Sequence, residues 1–371
     1  MHIGGDGDMK ILFICELFYP HIGGCEVRFY ELGKRLVRKG HTVNVLTIKY
    51  SPNLPEVEKI DGMMVYRIAS SFNYITGSGW RSPLGVLKYS SKTFLHSVLK
   101  SFDFHLIFSN QWPILHSLLL APLYRDVLVQ DWAEVWVRKI FFLEKLLGKL
   151  KYHVAVSKFT KERMKRYLGI SGRYIFLVPN GIDVEKYYEG DKEWGTIVYV
   201  GRFSYNKRID LLIKSFLLAR KKCKELKLFL AGSGILYNYF KEKYSGHGIE
   251  FLGKISEEEK RDLLAKSWLF LLTSEREGYG ISVLEALASG TPVILADFPD
   301  NAARDLIVNG GGIIEKPSPK KIAEKICKLY RDVSFYEKLR LQTRSVAENY
   351  SWDRSVKKLE DIFRFIYEMN Y

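Results

Sequence analysis

Short runs of β-branched and aromatic residues recur along this chain, each followed by a segment of helical length, and the pattern halts once and restarts. Candidate strands lie at Lys10 to Cys15, Thr42 to Ile48, Met63 to Ile68, His105 to Phe108, Val127 to Gln130 and His153 to Val156. Between several of them stand helical patterns, clearest in Glu26 to Lys39, where Val27, Tyr30, Leu32, Leu36 and Val37 mark one face before Gly40 ends it. After Asn180-Gly181 the text turns polar through Gly195. Strands then return at Thr196 to Gly201, Lys227 to Ala231, Ile249 to Leu252, Leu269 to Thr273, Pro292 to Ala296 and Gly312 to Ile314. From Ser318 onward the chain reads as helix alone, with Trp352 opening the last one. Alternation of this kind builds parallel sheets covered by helices. The expectation is α/β: two doubly wound, Rossmann-like domains facing each other across a deep cleft, with ligands at the carboxyl ends of the strands. The joint falls near residues 180 to 195.

A chain of 371 residues has room for two such domains. With 47% hydrophobic and 27% charged residues it can bury real cores. No apolar run approaches the ~18 residues of a membrane-spanning helix. The apolar run after Lys10 meets Glu16 too soon for a signal-peptide core, which predicts a cytoplasmic protein. Cys15, Cys25, Cys223 and Cys327 show no paired spacing and read as buried free thiols.

The net charge is +15, unevenly spread. Residues 1 to 178 hold 25 Lys and Arg against 14 Asp and Glu, so the front half carries most of the excess. A basic surface suits nucleic acid, an anionic membrane or a phosphorylated small molecule. Between Trp136 and Lys151, Phe141, Phe142, Leu146, Leu147 and Leu150 interleave with Arg138, Lys139, Lys145, Lys149 and Lys151. That is the composition of an interfacial helix, or of a core-facing helix with a basic back. Trp80 to Lys100 is a second basic stretch. No zinc finger, helix-turn-helix or RNP signature is present, so no nucleic-acid partner is expected.

Three loops after strands carry candidate chemistry. Gly23 and Gly24 precede a helix, where bare amides and the helix dipole favour an anion; a tight turn would need the same glycines. Arg202 and Lys207 lie in Gly201 to Arg208 and could converge on a diphosphate, or be ordinary surface charge. The densest loop is TSEREGYGISVLEA, Thr273 to Ala286. Here Glu277 and Glu285 flank Gly278, Tyr279, Gly280 and Ile281. Carboxylates accept from hydroxyls and amides donate to phosphates, which suits a polyhydroxylated anion. Alternatively, Ser282 and Glu285 form a capping box and Glu277 is a surface carboxylate.

These residues resemble the retaining nucleotide-sugar glycosyltransferases of family 4, with the GT-B fold. The resemblance runs in order through KILFICELFYPHIGGCEVRFYELGKRLVRKGHTVNVLT, VAVSKFTKERM, VPNGIDVEKY, VYVGRFSYNKRIDLLIKSF, LFLAGSG and TSEREGYGISVLEALASGTPVILAD. It implies an acceptor-side domain over 1–180, a nucleotide-sugar donor-binding domain over 181–352, and a last helix, about 353–371, returning to the first domain. By position, Arg202 and Lys207 would neutralise the donor diphosphate, Glu285 take the ribose hydroxyls, and Glu277 lie near the donor sugar. Backbone amides of Gly278 to Ile281 would contact sugar or phosphate. Gly23 and Gly24 match the loop that closes on the donor, and Asn180 to Asp183 the interdomain signature. Where the family often shows His-Asp, this chain has Gln130-Asp131. Gln130 offers a hydrogen bond but no proton, while Asp131 could contact acceptor or sugar, or cap a helix beginning near Ala133.

The resemblance implies transfer of a sugar from a nucleoside-diphosphate sugar to a glycan or lipid-linked acceptor, with retention, without a metal and without a further cofactor. The basic front half then suits peripheral docking at an anionic membrane, at the inner face of the cell membrane. The rivals are a noncatalytic nucleotide-sugar sensor and a nucleotide-sugar epimerase of the same fold.

Overall fold

The computed structural model describes residues 8–370 except 22, 73, 76–80, 100–102, 136–140 and 172–173. Residues 136–140 of the basic segment, and both ends of the second basic stretch, Trp80 and Lys100, lie outside the described residues. The chain divides into two units. One runs to Gly181 and resumes at Trp352; the other is Ile182–Ser351.

The first unit is an eight-stranded sheet: β1 Lys10–Ile14, β2 Thr42–Lys49, β3 Val57–Ile60, β4 Met63–Ser70, β5 Leu106–Ser109, β6 Leu128–Trp132, β7 Tyr152–Ala155 and β8 Ile175–Leu177. Their order is β3-β4-β2-β1-β5-β6-β7-β8, parallel except for the β3/β4 pair. Because successive side chains alternate, Ile11 and Phe13 enter one core layer and Leu12 and Ile14 the other. Both faces are covered, which is why these strands read as unbroken apolar runs. The first layer also holds Phe29, Leu32 and Leu36 of the helix Gly24–Arg38, together with Trp352, Leu359, Phe363 and Ile366 of the last helix, Trp352–Asn370. A Cβ on Gly181 would lie 2.5 Å from the Trp352 backbone, so the chain's exit from this unit and its return touch there.

The second unit has β9 Glu193–Val200, β10 Lys227–Ala231, β11 Ile249–Gly253, β12 Ser267–Leu272, a two-residue strand β13 Arg276–Glu277, β14 Val293–Ala296, a two-residue strand β15 Asp300–Asn301, and β16 Gly312–Glu315. The main sheet runs β11-β10-β9-β12-β14-β16, and β13 pairs with β15. In the first unit β1 has β2 on one side and β5 on the other; in the second, β9 has β10 and β12. These are the positions where strand order reverses and a crevice opens at the carboxyl ends.

Two expectations need correction. The Gly24–Arg38 helix turns Arg28, Phe29, Leu32 and Leu36 inward, while Val27, Tyr30 and Val37 are only half-buried. The helix Phe141–Leu147 buries Glu144 and Leu147 but exposes Phe142 and Leu143, so the core-facing reading of that segment fails at Phe142.

Candidate active site

At the reversal point of the second unit, the loops after β9, β10 and β12 lock together through their backbones. Phe203 N donates to Ser233 O at 2.9 Å, and a Cβ on Gly232, at φ 129°, would strike Gly201 O. The GSG in LFLAGSG therefore serves close backbone approach. Thr273, just past β12, donates its hydroxyl to Lys207 O at 3.2 Å and to Arg208 O at 3.0 Å. Glu275 N reaches Asn206 O at 2.8 Å. This lacing fixes Lys207, at the end of the single 3-10 turn Tyr205–Lys207, beside the β12 loop.

Lys207 Nζ lies 2.5 Å from Glu277 Oε2, with both side chains largely buried. Glu277 is held by β13: Ala302 N donates to its carbonyl at 2.9 Å. The fully buried Asn301 ties the same segment down, donating to Ser274 O at 3.0 Å. Beyond it Gly280 caps the helix Ile281–Ala288 at φ 97°, where a Cβ would lie 2.5 Å from that of Ala303. No side chain caps this helix, so its first amides remain donors for an anion.

Glu285 lies inside that helix and is buried. Its Oε1 accepts from Tyr187 Oη at 3.0 Å and from Lys260 Nζ at 2.7 Å. Burial pushes its carboxyl up, and Lys260 pulls against that rise. The Ser282–Glu285 capping box does not form, because Gly280 rather than Ser282 is the N-cap. A true capping box stands at Ser256 and Glu259, opening the helix that carries Lys260. Arg202 is exposed and pairs with no carboxylate among the described residues; its carbonyl accepts from Tyr199 Oη at 3.0 Å.

Asp131 belongs to the first unit. It lies within β6, not at a helix start; residues 133–135 are not helical, and 136–140 lie outside the described residues. Both its oxygens are taken by Arg28: Nε to Oδ2 and Nη2 to Oδ1, each at 2.9 Å and fully buried. Arg28 Nη1 also donates to Asn180 Oδ1 at 3.0 Å and Pro179 O at 3.3 Å. Burial pushes the Asp131 carboxyl up, opposed by Arg28. The neighbouring Gln130 points the other way, and its amide donates to Ser109 O at 2.9 Å and Asp131 O at 3.2 Å. It is wholly buried, and its Oε1 has no hydrogen-bond partner among the described residues.

Gly23 is the extended N-cap of its helix, and Gly24 is exposed with open space above it. A Cβ on Gly23 would collide with the Glu26 carboxylate, which folds back over the helix start and lies 3.2 Å from His21 Nδ1. The amides here thus face one of the chain's own carboxyls, a competitor for any incoming anion.

Sequence reasoning missed Arg28, Tyr187, Lys260, Asn301 and Glu26.

Two family models match this chain. "Glycosyltransferase Family 4" covers residues 22–186 and "Glycosyl transferases group 1" covers 186–350. The chain belongs to glycosyltransferase family 4. This glycosyltransferase is 27% identical to an uncharacterized glycosyltransferase of Methanocaldococcus jannaschii, over 97% of the chain and 99% of that protein. It is 25% identical to one component of the human phosphatidylinositol N-acetylglucosaminyltransferase, over 85% of the chain and 67% of that protein. Its fold is shared with sucrose-phosphate synthase of Thermosynechococcus elongatus, at TM-score 0.79 and 18% identity, covering 98% and 100% of the two chains. Anabaena HepE, solved with UDP and glucose, matches at TM-score 0.73 and 16% identity over 96% and 99%. Among the described residues of the glycosyltransferase, no helix is long and apolar enough to cross a membrane.

Proposed function

We propose that the enzyme transfers a sugar from a nucleoside-diphosphate sugar to a hydroxyl of a glycan or lipid-linked acceptor, with retention at the anomeric carbon and no metal. The observation that carries this is the meeting of Lys207 and Glu277 at the strand-order reversal of the second unit, beside an uncapped helix start. One Lys and one carboxylate in contact suit a ligand carrying phosphate and hydroxyls side by side. Lys207 and Arg202 would neutralise the diphosphate as its charge grows during cleavage of the glycosidic bond, and the amides of Gly278 to Ile281 would add fixed dipoles. Glu277 would accept from the donor sugar and Glu285, through its carboxylate, from the ribose. No side chain here is required as a nucleophile: the leaving diphosphate can take the acceptor's proton, so the protein's share is positioning and electrostatics. Support for the donor class comes from related folds: the Anabaena HepE structures hold UDP, UDP-glucose, or UDP and glucose. The human relative's name specifies a phosphatidylinositol acceptor, which fits a lipid-linked acceptor met at an anionic membrane surface.

The test is a panel of nucleoside-diphosphate sugars with lipid and glycan acceptors, run with and without EDTA, following diphosphate release and the anomeric configuration of the product by NMR. Turnover with an unchanged anomeric configuration, insensitive to EDTA, is expected. Donor binding without turnover on every acceptor would instead make the protein a nucleotide-sugar sensor.

A further inference from the structure

The helix Pro83–Leu99 is apolar on both sides: Tyr89 is buried and Val86 and Phe94 pack against the core, yet its leucines face out. Its buried positions are Gly85, Tyr89, Ser90, Thr93 and Ser97. Its leucines point away from the core: Leu84 is 79% exposed, Leu87 55%, Leu95 48% and Leu99 72%. Positions 84, 87, 88, 92, 95 and 99 recur at steps of three and four, so the leucines share one stripe with the exposed Lys88 and Lys92. The helices Ile114–Tyr124 and Phe141–Leu147 cover the same face of the sheet, since Tyr89, Leu120 and Leu147 all enter its core layer. They expose Leu123, Phe142 and Leu143 beside Lys145, while their one carboxylate, Glu144, is buried and takes a hydrogen bond from Gln111 at 2.5 Å. From Gly62 to Phe102 the sequence contains no Asp or Glu.

We propose that this leucine and lysine stripe docks the chain on an anionic lipid bilayer, with the helix lying in the plane of the interface. The inference rests on the membrane part of the function proposed above and names the surface that performs it. A soluble helix normally keeps its outward face polar; a second, outward stripe of leucines is stable where the medium outside is apolar. The lysines fit the charge of anionic headgroups, and with 17 residues and two lysines the helix suits lying in the interface rather than crossing it. A second copy of the chain fits less well. A two-fold contact would set Lys88 and Lys92 against their own equivalents, with no carboxylate on the helix to answer them.

The experiment is co-sedimentation of the full chain with vesicles of phosphatidylcholine alone and with about one third phosphatidylglycerol, comparing wild type, Leu87→Glu/Leu95→Glu and Lys88→Glu/Lys92→Glu. Wild type should bind the anionic vesicles, and less so as salt rises. The leucine variant should lose about tenfold or more in partitioning, and the lysine variant its preference for phosphatidylglycerol. All substituted positions are exposed, and the one bond lost among the described residues is that from Lys88 Nζ to Ser70 O at 2.9 Å, so thermal unfolding should move little. Equal binding by wild type and the leucine variant would overturn this surface while leaving membrane association standing. Failure of wild type to bind either vesicle would overturn both, with donor turnover measured separately on the panel above. A concentration-dependent dimer abolished by the leucine variant, with no vesicle binding, would assign the stripe to a second copy instead.

Discussion

Lys207 and Glu277 are 70 residues apart in sequence and 2.5 Å apart in space. Each is the other's nearest answer to charge until a ligand arrives, so removing either should change what the site binds in a different way. Lys207→Ala should weaken both the free nucleoside diphosphate and the nucleotide sugar, and lower turnover by about 10²–10³-fold. Glu277→Ala frees the ammonium, so the diphosphate alone should bind as well as before or better, while the nucleotide sugar loses its advantage over it. Calorimetry with the two ligands separates the cases. Equal loss of both in Glu277→Ala would mean that the carboxylate positions Lys207 and does not meet the sugar.

The buried pair Glu285–Lys260 supports a second prediction. Burial already pushes the Glu285 carboxyl up, and Lys260 opposes it. Lys260→Met removes that opposition and leaves a largely buried carboxylate with Tyr187 as its remaining hydrogen-bond donor. A loss of about 3 kcal/mol in stability is expected. The folded-state pKa of Glu285 would rise further, so donor affinity in the variant should fall off at a higher pH than in wild type as pH is lowered. Denaturant unfolding and donor affinity measured across pH check both parts; an unchanged pH profile would show that Glu285 does not need its charge.

Much of this arrangement was legible because the parallel strands are buried on both faces and so read as apolar runs. The strand VEKI of β3 was not, since this edge strand with one antiparallel partner sets adjacent Glu58 and Lys59 between Val57 and Ile60, with neither an apolar run nor a period-2 alternation. The site loops were legible as glycines and carboxylates after strands. Their partners were not: Tyr187 and Lys260 lie 98 and 25 residues from Glu285, and nothing local announces a long-range ion pair. Arg28 was hidden because an Arg at a helical position is usually exposed. Pro83–Leu99 was legible in sequence only as part of a basic stretch, and the outward placement of its leucines shows only in the fold.

Arg28 and Asp131 form a bidentate pair with side chains 2% and 3% exposed. With both oxygens occupied, Asp131 is placed to hold Arg28 against Pro179 and Asn180 rather than to reach a substrate. Asp131→Ala should therefore cost about 3–5 kcal/mol, with activity lost alongside folding. Asp131→Asn keeps the shape but not the charge, and should lower the melting temperature in parallel with kcat. If Asp131→Asn unfolds like wild type yet loses turnover, the carboxylate acts on substrate and the structural assignment is wrong.

The last helix is tied to the first unit by Glu360. Its carboxylate accepts from Lys39 at 2.7 Å, from His41 at 3.2 Å and from Arg364 at 3.1 Å. Burial works against its charge, but hydrogen bonds from Lys39, Arg364 and His41 outweigh that and hold the carboxyl down at about 2. The folded-state pKa lies below the unfolded value near 4.5, so the folded chain binds the proton less readily than the unfolded one. The stabilisation is then fully present above that unfolded value and is lost as pH falls toward about 2. Its size should be about 2 kcal/mol, discounted for partial solvent access. Glu360→Gln should remove that amount at neutral pH and flatten the acid limb of stability against pH, leaving the two proteins alike near pH 2. Because Lys39 and His41 lie on the first unit and Glu360 on the helix that returns to it, the loss should appear first as faster hydrogen exchange in Trp352–Asn370. An acid limb unchanged by the substitution would show that other carboxylates, not this one, set the unit's response to acid.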